Sequence, residues 1–309
     1  MNTSDRVWPP FAVMGAGAVG CYFGGMLARA GAPVTLIGRQ AHVDAIVREG
    51  LLLERAGGTE RIAVPATTEL GAVRDAEIVL FCVKTGDTES AAAALLPFLS
   101  PGSTVVSLQN GVDNVARIHA ATGIRALAAV VYVAAAMAAP GHVKHSGRGD
   151  LVLGDLLDTG TDLPRLASLF EAAEIPCRIS RDLAADLWTK MIMNCAYNAV
   201  SALGRARYGR VVHSAAAREL MAQVVDEVIA VAAAAGVGLA RDAMNAAVLR
   251  LGEAMSGAMS STAQDIERGR RTEIESLNGF VVRRGAELGV AAPTNQALYA
   301  LVRLLEEAE

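Results

Sequence analysis

"FAVMGAGAVGCYFGGMLARAGAPVTLIGR", Phe11 to Arg39, decides how the first half of this chain folds. Its apolar opening, Phe11 to Met14, reads as a buried strand. Gly15, Gly17 and Gly20 follow in a G-x-G-x-x-G arrangement, then helix-compatible residues run to Ala30. Gly31 stops that helix, and "PVTLI" reads as a second strand. The glycines divide the work. The first permits a tight turn, the second lets a pyrophosphate approach the backbone, and the third lets helix pack on strand. Phosphate then rests on the helix N-terminus, where free N–H groups and the dipole favour an anion. Gly15, Ala16, Gly17, Ala18, Val19 and Gly20 are therefore the expected cofactor-binding loop of a Rossmann-type unit.

The end of the second strand selects the cofactor. An Asp or Glu there would bind the adenosine ribose of NAD, whereas this strand ends Gly38-Arg39. The Arg39 guanidinium fits a 2′-phosphate, which predicts NADP(H). A solvated surface arginine is the bland alternative, because arginine supplies almost all the positive charge here. Lysine occurs only at 84, 144 and 190.

Two more strands lie outward from this motif. "AEIVLFCVKTGDT" runs into Lys84, and "STVVSLQNGVDN" runs into Gln109, Asn110 and Gly111. Ligands of open parallel sheets bind beyond the carboxyl ends of strands, where both polar clusters fall. "LAAVVYVAAAM" and "HVKHSGRGDLVLG" read as extra strands finishing the sheet. His142 and His145 flank Lys144 with no third ligand nearby, so an exposed edge strand is expected there and no metal site. "DLPRLASLFEAAEIPCRIS" reads as a last helix and strand.

The period changes near residue 180. Segments near 182–203, 214–235, 242–256, 272–288 and 294–307 have helical composition and spacing. This predicts a dinucleotide-binding domain over 1–180 and an all-helical domain over 181–309. Within "WTKMIMNCAYNAV", Lys190, Asn194 and Asn198 recur every four residues among apolar neighbours. On a helix they form one stripe roughly 12 Å long. Thr272 and Glu275 match the S/T-x-x-E capping box.

The totals exclude several classes. A chain of 309 residues, 52% hydrophobic and with net charge −4, has ample apolar content for two cores and a poor charge for nucleic acid. The apolar run Ala126 to Ala139 falls short of the ~18 residues of a membrane span. No basic and apolar leader is visible, and Cys21, Cys82, Cys177 and Cys195 show no metal-like pairing. They read as reduced thiols of a cytoplasmic protein.

Taken in order, "GAGAVG", "VKTGDT", "QNG", "KMIMNCAYN" and "SSTAQDIERGRRTEIESLNG" (260–279) resemble the ketopantoate reductase (2-dehydropantoate 2-reductase) family over nearly the whole chain. The resemblance implies NADPH-dependent reduction of a 2-oxo acid, most simply 2-dehydropantoate to pantoate in pantothenate biosynthesis. The cofactor is then held in the first domain and the substrate between domains. It implies that Lys190 donates the proton, that Asn110, Asn194, Asn198 and Ser261 contact substrate, and that Lys84, Asn110 and Glu273 lie at the cofactor. The chemistry suits these types. A ketone that gains hydride becomes an alkoxide, which a lysine can stabilise and protonate and an arginine effectively cannot. Members of the family are monomers or homodimers.

Two positions depart from the family pattern. Tyr208 and Ala258 stand where ketopantoate-specific members carry asparagines. A different, branched or larger 2-oxo acid is therefore an alternative substrate. A non-catalytic NADP(H)-binding sensor is the alternative from another functional class.

Overall fold

The computed structural model describes residues 7–307. They form two compact units, divided in sequence between Leu183 and Ala184. The first unit opens with β1 (Phe11–Met14), α1 (Ala18–Arg29), β2 (Val34–Ile37) and α2 (Gln40–Glu49). It continues through β3 (Leu51–Arg55), β4 (Gly58–Ile62), β5 (Ala66–Thr67), β6 (Ile78–Phe81), α3 (Thr88–Leu95), β7 (Thr104–Ser107) and α4 (Asn114–Thr122). The strands β8 (Leu127–Ala139) and β9 (His142–Gly154), helix α5 (Leu163–Ala172) and strand β10 (Cys177–Ile179) complete it.

All ten strands join one sheet in the order β4-β3-β9-β8-β7-β6-β1-β2-β5, with β10 on β9. The run β5-β2-β1-β6-β7-β8 is parallel throughout. It is the doubly wound order whose direction of growth reverses between β1 and β6, where such sheets bind ligands. The apolar runs FAVM and IVLF are almost wholly buried, as parallel strands covered on both faces require. Register then sets the site. Met14 pairs with Ile37 on one side and Phe81 on the other, and Phe81 with Ser107. The segments that follow these four strands, at Gly15, Gly38, Cys82 and Leu108, therefore leave the sheet at one level.

Helix α1 is buried from Gly20 through Leu27, all the way round, so it packs as a central rod and not as a surface helix. It touches β1, β2, β3, β8 and β9, which places the sheet around it. The strand carrying His142, Lys144 and His145 is not an edge. It pairs with β8 on one side and, at 142–144, with β3 on the other. Its polar side chains stay accessible because the neighbouring strand answers them: Glu54 takes Lys144 Nζ at 2.6 Å and His142 Nε2 at 3.1 Å.

The second unit consists of α6 (Leu183–Leu203), α7 (Tyr208–His213), α8 (Ala215–Ala234), α9 (Arg241–Ala254), α10 (Ser261–Glu267), α11 (Asn278–Leu288) and α12 (Pro293–Glu307). Two short helices, α7 and α10, lie where no helical period is long enough to read from sequence. The stretch 272–288 is divided, a 3-10 turn at Ile274–Ser276 preceding α11. The capping box does not form. Thr272 Oγ1 accepts from Ile274 N at 3.2 Å, while the Glu275 carboxylate pairs with Arg283 and accepts from the Tyr299 hydroxyl at 2.5 Å. Behind α6, the buried Asn278 amide donates to Cys195 O at 3.3 Å and Asn295 Oδ1 at 2.9 Å. Glu227 closes this chain by accepting from Thr294 N and Asn295 N at the start of α12. Among the described residues no helix is long and apolar enough to cross a membrane.

Candidate active site

The glycine loop is shaped by backbone contacts on both sides. Gly15 N and Ala16 N donate to Ile37 O at 2.9 Å each, and Cys82 N donates to Met14 O at 2.8 Å. Gly15 has φ +108°, and a Cβ there would lie 2.9 Å from the Cys82 carbonyl carbon. A Cβ on Gly20 would lie 2.1 Å from Gly15 O, so the turn and the first helical turn touch. Gly17 differs. It caps α1 without a side-chain hydrogen bond, has no neighbour within 4 Å of a built Cβ, and is followed by no acid in the first turn. The arrangement fits a dinucleotide phosphate: open backbone, helix N-terminus, no competing negative charge. Arg39 follows β2 as an exposed residue, and its guanidinium forms no ion pair or hydrogen bond among the described residues.

Lys84 and Asn110 sit on loops that a buried polar network locks together. Ser107 Oγ donates to Gln109 Oε1 at 2.9 Å, and Gln109 Nε2 donates to Thr88 Oγ1 at 2.8 Å and Val83 O at 3.2 Å. Thr85 Oγ1 and Asn114 Nδ2 both donate to Asn110 O, at 3.0 and 2.7 Å. Outside, Arg117 grips Glu89 through two 2.7 Å hydrogen bonds, which hold the Glu89 carboxyl below its ordinary range. Ser107, Thr85, Thr88 and Asn114 were not singled out in the sequence. Small polar residues near strand ends look like ordinary turn chemistry until the partners of Thr85, Thr88 and Asn114, 21 to 26 positions away, are known.

In the second unit α6 carries the polar stripe. Lys190 and Asn194 are half-buried and Asn198 is buried, while Met191, Ile192, Cys195 and Ala196 pack inward. Asn198 Nδ2 reaches Ser261 Oγ at 3.4 Å, so two predicted residues 63 positions apart meet directly. Ser260 makes that contact possible. Its Oγ donates to Asn198 O at 3.1 Å and accepts from Ala263 N at 3.0 Å, fixing the start of α10 against α6. Glu273 is half-buried, immediately before the Ile274–Ser276 turn.

The first unit thus presents glycine loop, Arg39, Lys84 and Asn110 at one end of its sheet. The second presents an ammonium, two carboxamides and a serine on one helix face and its neighbour. Both halves match family models, "Ketopantoate reductase PanE/ApbA" over residues 11–158 and its C-terminal counterpart over 182–306. The chain is 32% identical to the 2-dehydropantoate 2-reductase of Halobacterium salinarum, over 95% of this chain and 98% of that protein. A PanE/ApbA family ketopantoate reductase from Ralstonia eutropha JMP134, known as a crystal structure, is 48% identical with TM-score 0.90, covering 97% of this chain and 99% of that one. A ternary complex of D-mandelate dehydrogenase with NADH and anilino(oxo)acetate superposes with TM-score 0.91 at 25% identity, covering 97% and 98%.

Proposed function

This chain belongs to the ketopantoate reductase family, and from that premise we propose that it reduces 2-dehydropantoate to pantoate with NADPH. The observation that carries the reading is the single lysine of α6 standing on the same face as two carboxamides, one of them paired with Ser261. NADPH, when bound, supplies the hydride and leaves as NADP+. Gly15 to Gly20 would hold its pyrophosphate at the start of α1, and the exposed guanidinium of Arg39 would take the 2′-phosphate that distinguishes it from NADH. Lys84, Asn110 and Glu273 complete the cofactor side.

The protein's own chemistry is proton supply and charge stabilisation. Lys190 Nζ hydrogen-bonds the ketone oxygen, stabilises the charge that grows there, and gives up its proton to make the hydroxyl. Arginine could not do the second part, since its proton is effectively permanent. Asn110, Asn194 and Asn198 orient the ketone and the substrate hydroxyl without adding charge, and Ser261 donates to the carboxylate. The test is loss of NADPH absorbance on adding 2-dehydropantoate to the purified protein. Turnover with NADPH well above turnover with NADH is expected. Cofactor binding without oxidation by any 2-oxo acid would overturn the reading in favour of a non-catalytic sensor.

A further inference from the structure

A fixed path of hydrogen bonds ties Tyr208 to the segments that carry Asn198 and Ser261. Tyr208 N donates to Ala258 O and Gly209 N to Ser256 O, each at 3.0 Å, so the segments around 208 and 257 run paired. Ser201 Oγ donates to Ala206 O at 2.8 Å and accepts from Ser260 N at 3.3 Å. Both segments are thereby tied to the last turns of α6, where Asn198 reaches Ser261. The Tyr208 ring stacks on Tyr197 with centroids 4.3 Å apart and planes 29° apart. Tyr197 is fully buried and donates its hydroxyl to Val248 O at 2.8 Å, so it is an immobile backing. Tyr208 is half-buried, and its hydroxyl has no hydrogen-bond partner among the described residues. Burial pushes that phenol above its ordinary range, so it stays a neutral donor. Ala258, half-buried opposite, contributes only a methyl group.

We infer that Tyr208 and Ala258 are the specificity-determining pair of the substrate site, and that they admit 2-oxo acids bearing a flat aryl group as well as the branched hydroxyalkyl one. A rigidly backed, partly accessible ring whose paired neighbour carries only a methyl group offers a planar apolar surface. An aryl substituent gains from stacking on such a wall, whereas a hydroxylated chain finds a single phenol to bond. The inference rests on the proposed 2-oxo acid reduction and needs no further co-reactant. Carbonyl carbon and oxygen gain the same hydride and the same Lys190 proton.

The experiment compares phenylglyoxylate and 2-dehydropantoate as substrates of the full chain with NADPH, in parent, Tyr208→Asn and Tyr208→Phe. Expected in the parent is a kcat/KM for phenylglyoxylate within about tenfold of that for 2-dehydropantoate, or higher. Tyr208→Asn should lower the ratio of the two by about tenfold or more, and Tyr208→Phe should keep it within about threefold, since the ring remains. Anilino(oxo)acetate, which resists reduction, should bind the parent with NADPH present and bind Tyr208→Asn about tenfold more weakly. A parent more than about tenfold poorer on phenylglyoxylate, or a ratio that Tyr208→Asn leaves in place, overturns the inference and spares the reductase. Oxidation by neither acid overturns the reductase instead, and the anilino(oxo)acetate titration then still decides the aryl wall.

Discussion

At the scale of single residues, Lys190 and the glycines make opposite kinds of demand. On the proposed mechanism Lys190 gives up a transferable proton, so Lys190→Ala should lower kcat by about 10²–10⁴ while NADPH binding stays near normal. Stopped turnovers measured beside a cofactor titration check this, and near-parental kcat would remove Lys190 from the role. Gly20 and Gly17 can be separated by what surrounds them. A methyl at Gly20 meets Gly15 O at 2.1 Å and Val13 Cγ1 at 2.8 Å, atoms of a turn and strand that cannot yield. Gly20→Ala should therefore destabilise the protein by about 1–3 kcal/mol in urea melts. Gly17→Ala has room and an ordinary φ of −89°, so its stability should change by less than about 0.5 kcal/mol. Its methyl would stand where the pyrophosphate approaches, and KM for NADPH should rise by about tenfold or more. The close packing at Gly20 was readable in the G-x-G-x-x-G spacing. The position of Arg39 just past the second strand was readable too, though its lack of a partner among the described residues was not, because pairing depends on neighbours distant in the chain.

Elements explain how these residues are held. The loop after β7 has no regular structure and the one after β6 only a 3-10 turn at Thr85–Asp87, and side chains link the two. Gln109 is central: it donates to Thr88 and Val83 and accepts from Ser107. Gln109→Leu should leave those buried groups unpaired and cost about 1–3 kcal/mol, with a several-fold rise in KM for NADPH as Lys84 loses its support. Unchanged stability and KM would mean the network is ornamental. In the second unit, Ser260 does comparable work, bonding Asn198 O and capping α10 at once. Sequence placed the long helices well because their apolar period persists over many turns. It merged the turn at Ile274–Ser276 into a helix, and the capping-box match of Thr272 and Glu275 does not form, since the competing partners Arg283 and Tyr299 lie further along the chain. The strand at His142 was misread as an edge for the same reason: its second neighbour, β3, precedes it by some ninety residues.

For the molecule as a whole, the cofactor assignment predicts a linkage effect. NADPH at about a hundred times its Kd should stabilise the protein by roughly 2.7 kcal/mol and raise Tm by roughly 5–10 °C. NADH at the same concentration should raise it less, and Arg39→Ala should abolish the difference between the two. Equal shifts in the parent would withdraw the 2′-phosphate from Arg39. Differential scanning fluorimetry suffices for this comparison and is independent of turnover.

By itself, the sequence determined the Rossmann-type beginning, the helical remainder, the glycine turn and the lysine stripe. Those features are local: a glycine spacing or a helical period is complete within about twenty residues, so its physics is present before the chain folds. Tertiary structure alone decided which strand pairs with which, that Gln109, Thr85, Thr88 and Asn114 fasten two loops, and that Asn198 meets Ser261. It also decided that Tyr208 and Ala258, fifty positions apart, share one backbone hydrogen bond. Such contacts are set by burial and register between distant segments, and a polar residue's role changes entirely with the partner that folding brings to it.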